Sequence, residues 1–480
     1  MARRKGSITL FSVIALLLVT AAIFAILEGT RLQELRRFAD LQTEAALEAA
    51  FAEYNTCLWQ EYHLLGTEQS QMKVILEETA NGRQGSGANF LRFVPTKIEV
   101  VNNSRITDGE GAVFIHAVST YMKDNMLYEA IKEIYSQYEA IKQVLDSSEL
   151  DVSNITEAIE EMKHLGETKE KNSFGTAKKN KVEKGIDVQA LLKTAERWKK
   201  MGILELVIED TSKLSEQEVD FENGLLKRKL KKGTTEKFVA TNWEDRILLQ
   251  QYLLTYMSSL QSPKEGRALS YELEYLLGEK SSDVANLKSV ATKILAIREA
   301  SNFLYLLSNP AKVAEAEALA IAIGGISLNP ALIELIKIAL LTAWALAESI
   351  LDVRALLGGK RVALLKSDES WTLGLENIGG ITEGFMTAKE SIWGLSYENY
   401  LGILLLLEKE KKLAMHAMNI QEATIRKVYE DDSFCLDSLV TEASTEISYT
   451  YEPVFPFLRV IDAQMRWEYK LLGAEDYSYY

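Results

Sequence analysis

The sequence predicts an α+β protein, mainly α: an N-terminal transmembrane helix continuing into a long amphipathic helix, then a helical ectodomain with a small β-sheet. Three observations predict it. An uncharged apolar run from Ile8 to Leu27 leads into Leu32–Ala52, which holds no Gly or Pro. From Glu244 onward apolar residues recur at helical spacing. Two short stretches, Lys97–Val101 and Thr445–Tyr451, alternate with strand periodicity instead.

The N-terminal run comes first in the chain and in the argument. Residues 1–6 form a basic leader with Arg3, Arg4 and Lys5, and residues 7–27 form the membrane helix. Twenty residues at about 1.5 Å each cross the roughly 30 Å hydrocarbon core. Thr9, Ser12 and Thr20 are polar there, and each hydroxyl can bond back to a helix carbonyl. Positive charges before the run put the N-terminus in the cytoplasm and the bulk of the chain outside the cell, in a single-pass membrane protein. Val19-Thr20-Ala21 and Thr20-Ala21-Ala22 satisfy the small-residue rule for signal peptidase. The apolar run continues through Ile23–Leu27, which favours retention.

On a helical wheel, Leu32, Leu35, Phe38, Ala39, Ala45, Ala46, Ala49 and Ala50 share one face. Arg36, Arg37, Asp40, Glu44 and Glu48 take the other. The Ala-rich face either packs on the chain's own domain or forms an assembly seam, for which Leu35, Phe38, Ala45, Ala46 and Ala49 are the candidate residues.

Residues 28–145 therefore comprise the extended helix and a first α/β part. The helix is expected to end in the aromatic turn Trp59–Leu65, with Gly66 as C-cap. A second helix covers Glu68–Thr79, a loop Asn81–Gly87, a strand Lys97–Val101 and a turn Asp108–Gly111. One or two helices follow to Asp146, with Tyr121, Tyr128, Tyr135 and Tyr138 at helical spacing. Residues 146–240 read as a charged, partly mobile linker region, with a short helix at Ala190–Leu206 and a basic island at Leu225–Gly233. That island reads as a solvated loop, with contact to an anionic cell-wall polymer as the alternative.

Residues 241–470 form the helical core with its C-terminal strand. Helices are expected over Arg246–Leu260, Asp283–Leu307 and Glu398–Leu413, the last continuing toward Val428. Ser270 and Ser396 are the candidate N-caps of two similar helix starts. Ala316–Ala347 is apolar, but its Pro-led part holds Glu334 and Lys337, each costing about 2.5–3.5 kcal/mol near a membrane centre. A buried globular helix is expected there. Gly358–Leu365 reads as a turn into a short strand, Gly379-Gly380 as a loop, and 471–480 as the tail, disordered over Asp476–Tyr480.

Composition narrows function. Of the net charge of −15, residues 1–27 contribute +3, so the remainder carries −18, which argues against nucleic acid and anionic lipid as partners. Six prolines and seven tryptophans disfavour an all-β surface module. Cys57 and Cys435 read as two separate, partly buried thiols, with a disulfide as the alternative. His63, His116, His164 and His416 stand apart, and no metal, nucleotide or nucleophile-elbow motif occurs. Ser70-Gln71-Met72-Lys73 matches S-x-x-K by chance length alone, with no K-T-G or S-D-N after it. No catalytic residue, cofactor or metal site is expected, and the chain is not read as an enzyme.

Arg4-Lys5-Gly6-Ser7-Ile8-Thr9 followed by Leu10, Phe11 and an apolar helix resembles a type IV prepilin-like signal, especially that of the minor pseudopilins of Tad-type pilus systems. Further stretches resemble an uncharacterised family of Gram-positive membrane proteins found with such loci: Leu269–Tyr275, Ile297–Asn302, Ala343–Ser349 and Tyr397–Leu401. The resemblance implies processing between Gly6 and Ser7. It also implies partners among pilus or secretion-apparatus subunits. Prepilins usually carry Glu five residues after the processing Gly, where this chain has Phe11. The expectation is a membrane-anchored extracytoplasmic structural component, pseudopilin-like. The alternative is an extracellular, membrane-anchored enzyme or ligand-binding protein.

Overall fold

The computed structural model describes residues 5–82, 93–125, 194–195, 197–235, 242–324, 330–381, 384–451 and 469–480. They fall into two compact units. The first comprises Met1–Tyr121, Arg228–Thr241 and Ser433–Tyr480, and the second Met122–Lys227 and Asn242–Asp432. The second is thus inserted in the sequence of the first.

In the first unit, α1 is one uninterrupted helix, Lys5–Ala52. It is followed by α2 (Thr56–Tyr62), β1 (Thr67–Glu68), α3 (Gln69–Gly82), β2 (Phe93–Arg105) and α4 (Asp108–Asn125). After the insertion come β3 (Leu439–Tyr451) and β4 (Tyr469–Ser478). The sheet is antiparallel and β3 is its centre, bonded to β1, β2 and β4. Side chains of β3 alternate between buried and half-buried, as a strand with one covered face requires. Ala443, Ile447 and Tyr449 of that face meet Leu35, Ala39, Ala46, Leu47, Ala50 and Phe51 of α1, with Met72 and Leu76 of α3 closing the core.

Aromatic pairs stiffen this contact: Phe93 stacks on Tyr449 at 4.3 Å, and Phe51 on Tyr477 at 4.5 Å. At Gly473 of β4 any side chain would run into Thr43 and the Ala39 carbonyl, so glycine sets how closely strand and helix approach.

The second unit is helical: α5 (Ile203–Val207), α6 (Trp243–Tyr256), α7 (Glu272–Gly278), α8 (Asp283–Ser308), α9 (Pro310–Gly324), α10 (Pro330–Leu357), α11 (Tyr397–Leu407) and α12 (Glu410–Tyr429). Pro310 and Pro330 open their helices, where a missing N–H is harmless. Asn242 and Asp245 form a capping box on α6, and Ser396 with Asn399 another on α11. Helix α10 packs against α8 and α9. Trp344, Ala345, Ala347, Ile350 and Leu351 are fully enclosed, which makes α10 the expected globular helix. Among the described residues, α1 alone is long and apolar enough to cross a membrane.

Several expectations are corrected. The long helix ends at Ala52, not near Gly66; Trp59 lies inside α2, which Asn55 caps and left-handed His63 terminates. Ser270 caps nothing. The Asp283 carboxylate, from the next helix, accepts from the Ser270 and Tyr271 amides at 2.9 and 3.0 Å instead. The expected helix from Glu398 breaks at Glu408–Lys409 into α11 and α12. Val362 makes a lone bridge to Leu395 rather than a strand, and Gly379-Gly380 closes a 3-10 turn. The tail is not loose: residues 469–478 pair along β3, and the Tyr480 hydroxyl accepts from Leu65 N–H at 2.6 Å. Strands 439–451 and 469–478 therefore belong with the N-terminal helix, where the sequential division put the first in the 241–470 core and most of the second in a separate tail, 471–480.

The expected helix Ala190–Leu206 is interrupted at Met201-Gly202 before α5. In the region read as a linker, Trp198, Leu206, Val207 and Leu225 are buried, and Arg228 of the basic island pairs with Asp437. Both expected strands are present and longer, and Gly109, Glu110 and Gly111 all turn with positive φ. Cys57 and Cys435 are free thiols. The loop from residue 83, Tyr128, Tyr135, Tyr138, His164 and the 146–184 linker lie outside the described residues.

Candidate functional site

Three places hold residues singled out by sequence or by geometry. The first is α1. Gly6 and Ser7 sit in its opening turn. From Ile8 to Leu27 the apolar side chains are exposed, Phe11 at 73% and Leu18 at 67%. The Ser12 and Thr20 hydroxyls donate to the carbonyls of Ile8 and Leu16, each at 2.9 Å, as a helix in hydrocarbon requires. Exposure stops at Arg31, which is buried, pairs with Glu28 at 2.6 Å and lies over the Tyr451 ring.

Of the candidate seam, Leu35 and Ala46 are fully enclosed in the core with β3 and β4, and Phe38 meets Phe93 edge-on at 5.7 Å. Ala45 and Ala49 are half-buried. The chain's own sheet thus covers this face.

The second place is a network buried between helices of the inserted unit. Arg298 (α8) bonds Asp352 (α10) through Nε at 3.1 Å and Nη2 at 2.9 Å, and Nη1 reaches the Tyr400 hydroxyl and the Leu364 carbonyl. Lys366 pairs with Asp352 at 2.7 Å and Glu348 at 2.8 Å. Glu348 also accepts from the amides of Thr372 and Leu373, and Asn302 bridges Ser349 and Asp352. Two cations meet two carboxylates, so the network is neutral. A second buried set lies nearby in sequence: Glu272 accepts from Ser258 and Thr424, and Glu274 from Leu260 N–H and the Tyr397 hydroxyl. Burial pushes the Glu274 carboxyl up to about 7. These groups are enclosed by protein and hold helices in register. Chemistry on a substrate would need access that they lack.

The third is an open cleft of about 720 Å³ in the inserted unit, lined by Phe221, Tyr275, Glu279, His416 and Asn419 among others. Phe221 stacks on Tyr275 at 5.0 Å, and Asn419 Nδ2 donates to the Tyr275 hydroxyl at 2.7 Å. His416 lies 3.4 Å from that hydroxyl and 3.6 Å from Glu279, which Lys412 also pairs at 2.5 Å. Burial holds His416 below its ordinary value against the opposing pull of Glu279, so the imidazole is neutral at pH 7. Burial pushes Tyr275 up to about 12, keeping its hydroxyl protonated. The cleft offers an aromatic wall, a neutral imidazole and an acidic rim of Glu218, Asp220, Glu222 and Glu279.

Sequence reading missed this cleft, because Phe221, Tyr275 and His416 come from segments far apart in the chain. The i, i+3 pair His416 and Asn419 on one helix was the available signal. Ser70 and Lys73 of the S-x-x-K match are exposed on the first turns of α3.

A family profile described as a family of unknown function (DUF5702) matches residues 181–451, more than half of the chain. The chain belongs to that family. The DUF5702 segment contains the cleft, the Arg298 network and β3, and it lies downstream of α1. All four stretches from Leu269 to Leu401 that carried the second resemblance fall within it. They supply Glu272, Glu274, Arg298, Asn302, Glu348, Ser349, Tyr397 and Tyr400 to the buried networks. No curated protein and no solved structure matches the chain.

Proposed function

We propose that this DUF5702 protein is a membrane-anchored structural subunit of the cell envelope, of the pseudopilin-like kind found in Tad-type pilus or secretion systems, and not an enzyme. The observation that carries this is the division of labour along α1. Its first half is a bare apolar rod of membrane-spanning length, and its second half is the spine of an α/β unit. A helix continuous across that junction transmits position from the membrane to the folded unit without a hinge, which an assembling subunit needs and a tethered enzyme does not. Bare apolar helices can pack side by side in a membrane or in a filament core, with other apparatus subunits as partners. In this reading the N-terminus is cytoplasmic and the folded units are extracellular.

N-terminal sequencing of protein extracted from membranes tests it. A mature start at Ser7 supports the pilin-like route, an intact or Met-trimmed leader reduces the protein to a plain anchor, and a start at Ala22 or Ile23 overturns both. A second reading, ligand binding by an anchored envelope protein, is favoured by the Phe221–Tyr275 stack at the acidic cleft.

A further inference from the structure

The first unit holds a smaller cavity of about 300 Å³, lined by Glu68, Gln69, Ser70, Lys73, Arg105, Lys231 and Ser438. Three of its seven residues are cations and one is a carboxylate. Arg105 is the anomaly. It is 6% exposed, yet its guanidinium reaches neutral acceptors: Nη1 donates to the Asp437 carbonyl at 2.6 Å and Nη2 to Gln69 Oε1 at 2.5 Å. Its Nε is buried without a hydrogen-bond partner.

Glu68, the one carboxylate in the lining, is exposed, and two further acidic side chains, Asp437 and Asp108, are engaged elsewhere. Asp437 pairs with Arg228 at 2.6 Å and accepts from Lys231 N–H at 2.8 Å. Asp108 accepts from the backbone amides of Arg105 and Gly233. Among the described residues no ion pair forms at Arg105, Lys73 or Lys231. A buried guanidinium without an anion is costly, and lining an open cavity with two further free cations makes that cost removable by a ligand.

We infer that this cavity is a binding site for a phosphoryl oxyanion. Each Nη of Arg105 already donates once to a protein acceptor, which fixes the plane of the guanidinium at the cavity wall. The cavity gathers cationic groups from separate elements: the guanidinium of Arg105 at the end of β2, the ammonium of Lys73 on α3 and that of Lys231 in the segment between the two parts of the second unit. Helix α3 opens at the same cavity with Gln69 and Ser70, has no acidic residue in its first turn, and adds the positive end of its dipole. Donors arriving from several directions fit a tetrahedral group. The site is independent of the cleft and of the assembly reading.

The test uses the full chain in a maltoside detergent free of phosphate, at constant ionic strength. Inorganic phosphate, a glycerol-phosphate oligomer and phosphatidylglycerol vesicles are titrated separately, with acetate and chloride as controls. Saturable binding with a rise in the melting temperature is expected for at least one phosphate probe and for neither control. Tighter binding of the oligomer than of phosphate identifies a phosphodiester polymer as the source, equal binding identifies free phosphate, and binding by vesicles alone identifies a lipid headgroup.

Lys73→Ala and Lys231→Ala, both at exposed positions, should each weaken binding about tenfold and together remove it. Their melting temperatures in chloride should stay unchanged. Absence of saturable binding to all three probes overturns the inference, and so does affinity that survives the double substitution.

Discussion

Arg298 is fully enclosed, and its charge is answered by Asp352, which Lys366 shares. Such a set is held together by completeness: removing one carboxylate leaves two buried cations facing one. Asp352→Asn should therefore destabilise the inserted unit by about 3–5 kcal/mol, read as a lowered midpoint in urea unfolding. Glu274 gives a residue-scale prediction in pH. Its folded pKa of about 7 lies above the 4.5 of an ordinary glutamate. The folded state thus holds the proton more tightly, so the associated stability is complete below about pH 4.5 and is lost as pH rises through 7. The loss is on the order of 3 kcal/mol by pH 8. Glu274→Gln keeps an acceptor for Leu260 N–H and the Tyr397 hydroxyl but cannot ionise. Its unfolding free energy should change less than wild type between pH 5 and 8, and a parallel pair of curves would refute the assignment.

At the scale of elements, α1 joins two compositions in one helix, an exposed apolar half and an amphipathic half covered by the sheet. Its apolar stripe was legible from spacing, and so was the change from membrane-like to amphipathic composition after Leu27. Which partner the stripe meets was not legible, because that is decided by strands more than 390 residues away. Ala46 is fully enclosed against the sheet. Ala46→Glu should lower the melting temperature of the first unit, by more than about 3 kcal/mol of stability at that temperature. Unchanged melting would show that α1 does not depend on the sheet.

Other elements were misread for the same non-local reason. Residues 476–480 are polar and rich in tyrosine, which looks like a solvated end. Pairing along β3 and burial of Tyr479 against Phe51 give them a role that no local window contains. Ser270 had cap chemistry, but the Asp283 carboxylate reached the amides first. The cleft was illegible because its aromatic wall joins residue 221 to residue 275, and its imidazole comes from 416. The resembling stretches were legible as motifs, while their use as buried network members needed the helices in place.

For the whole molecule, the informative fact is that the first unit is written in three pieces around the second. Deleting residues 469–480 removes β4 from the central strand and strips Gly473, Tyr477 and Tyr479 from α1. Proteolysis of the first unit should become rapid in that deletion, while the Arg298 network, entirely within the second unit, keeps its own unfolding transition. A single transition lost for both units would contradict the division.

The split has a consequence in time. Leu65 and Tyr480 touch across 415 residues, and Thr67 and Tyr479 across 412. At about 5–20 residues per second, a ribosome needs roughly 20–80 s to make that interval. Through all of it Leu35, Ala46 and Leu47 of α1 wait for the strands that will cover them. The apolar stripe of α1 is therefore made long before the strands that cover it. A chain cut short before residue 469 never gains the last strand, so Gly473, Tyr477 and Tyr479 never reach α1 and part of its apolar stripe stays bare.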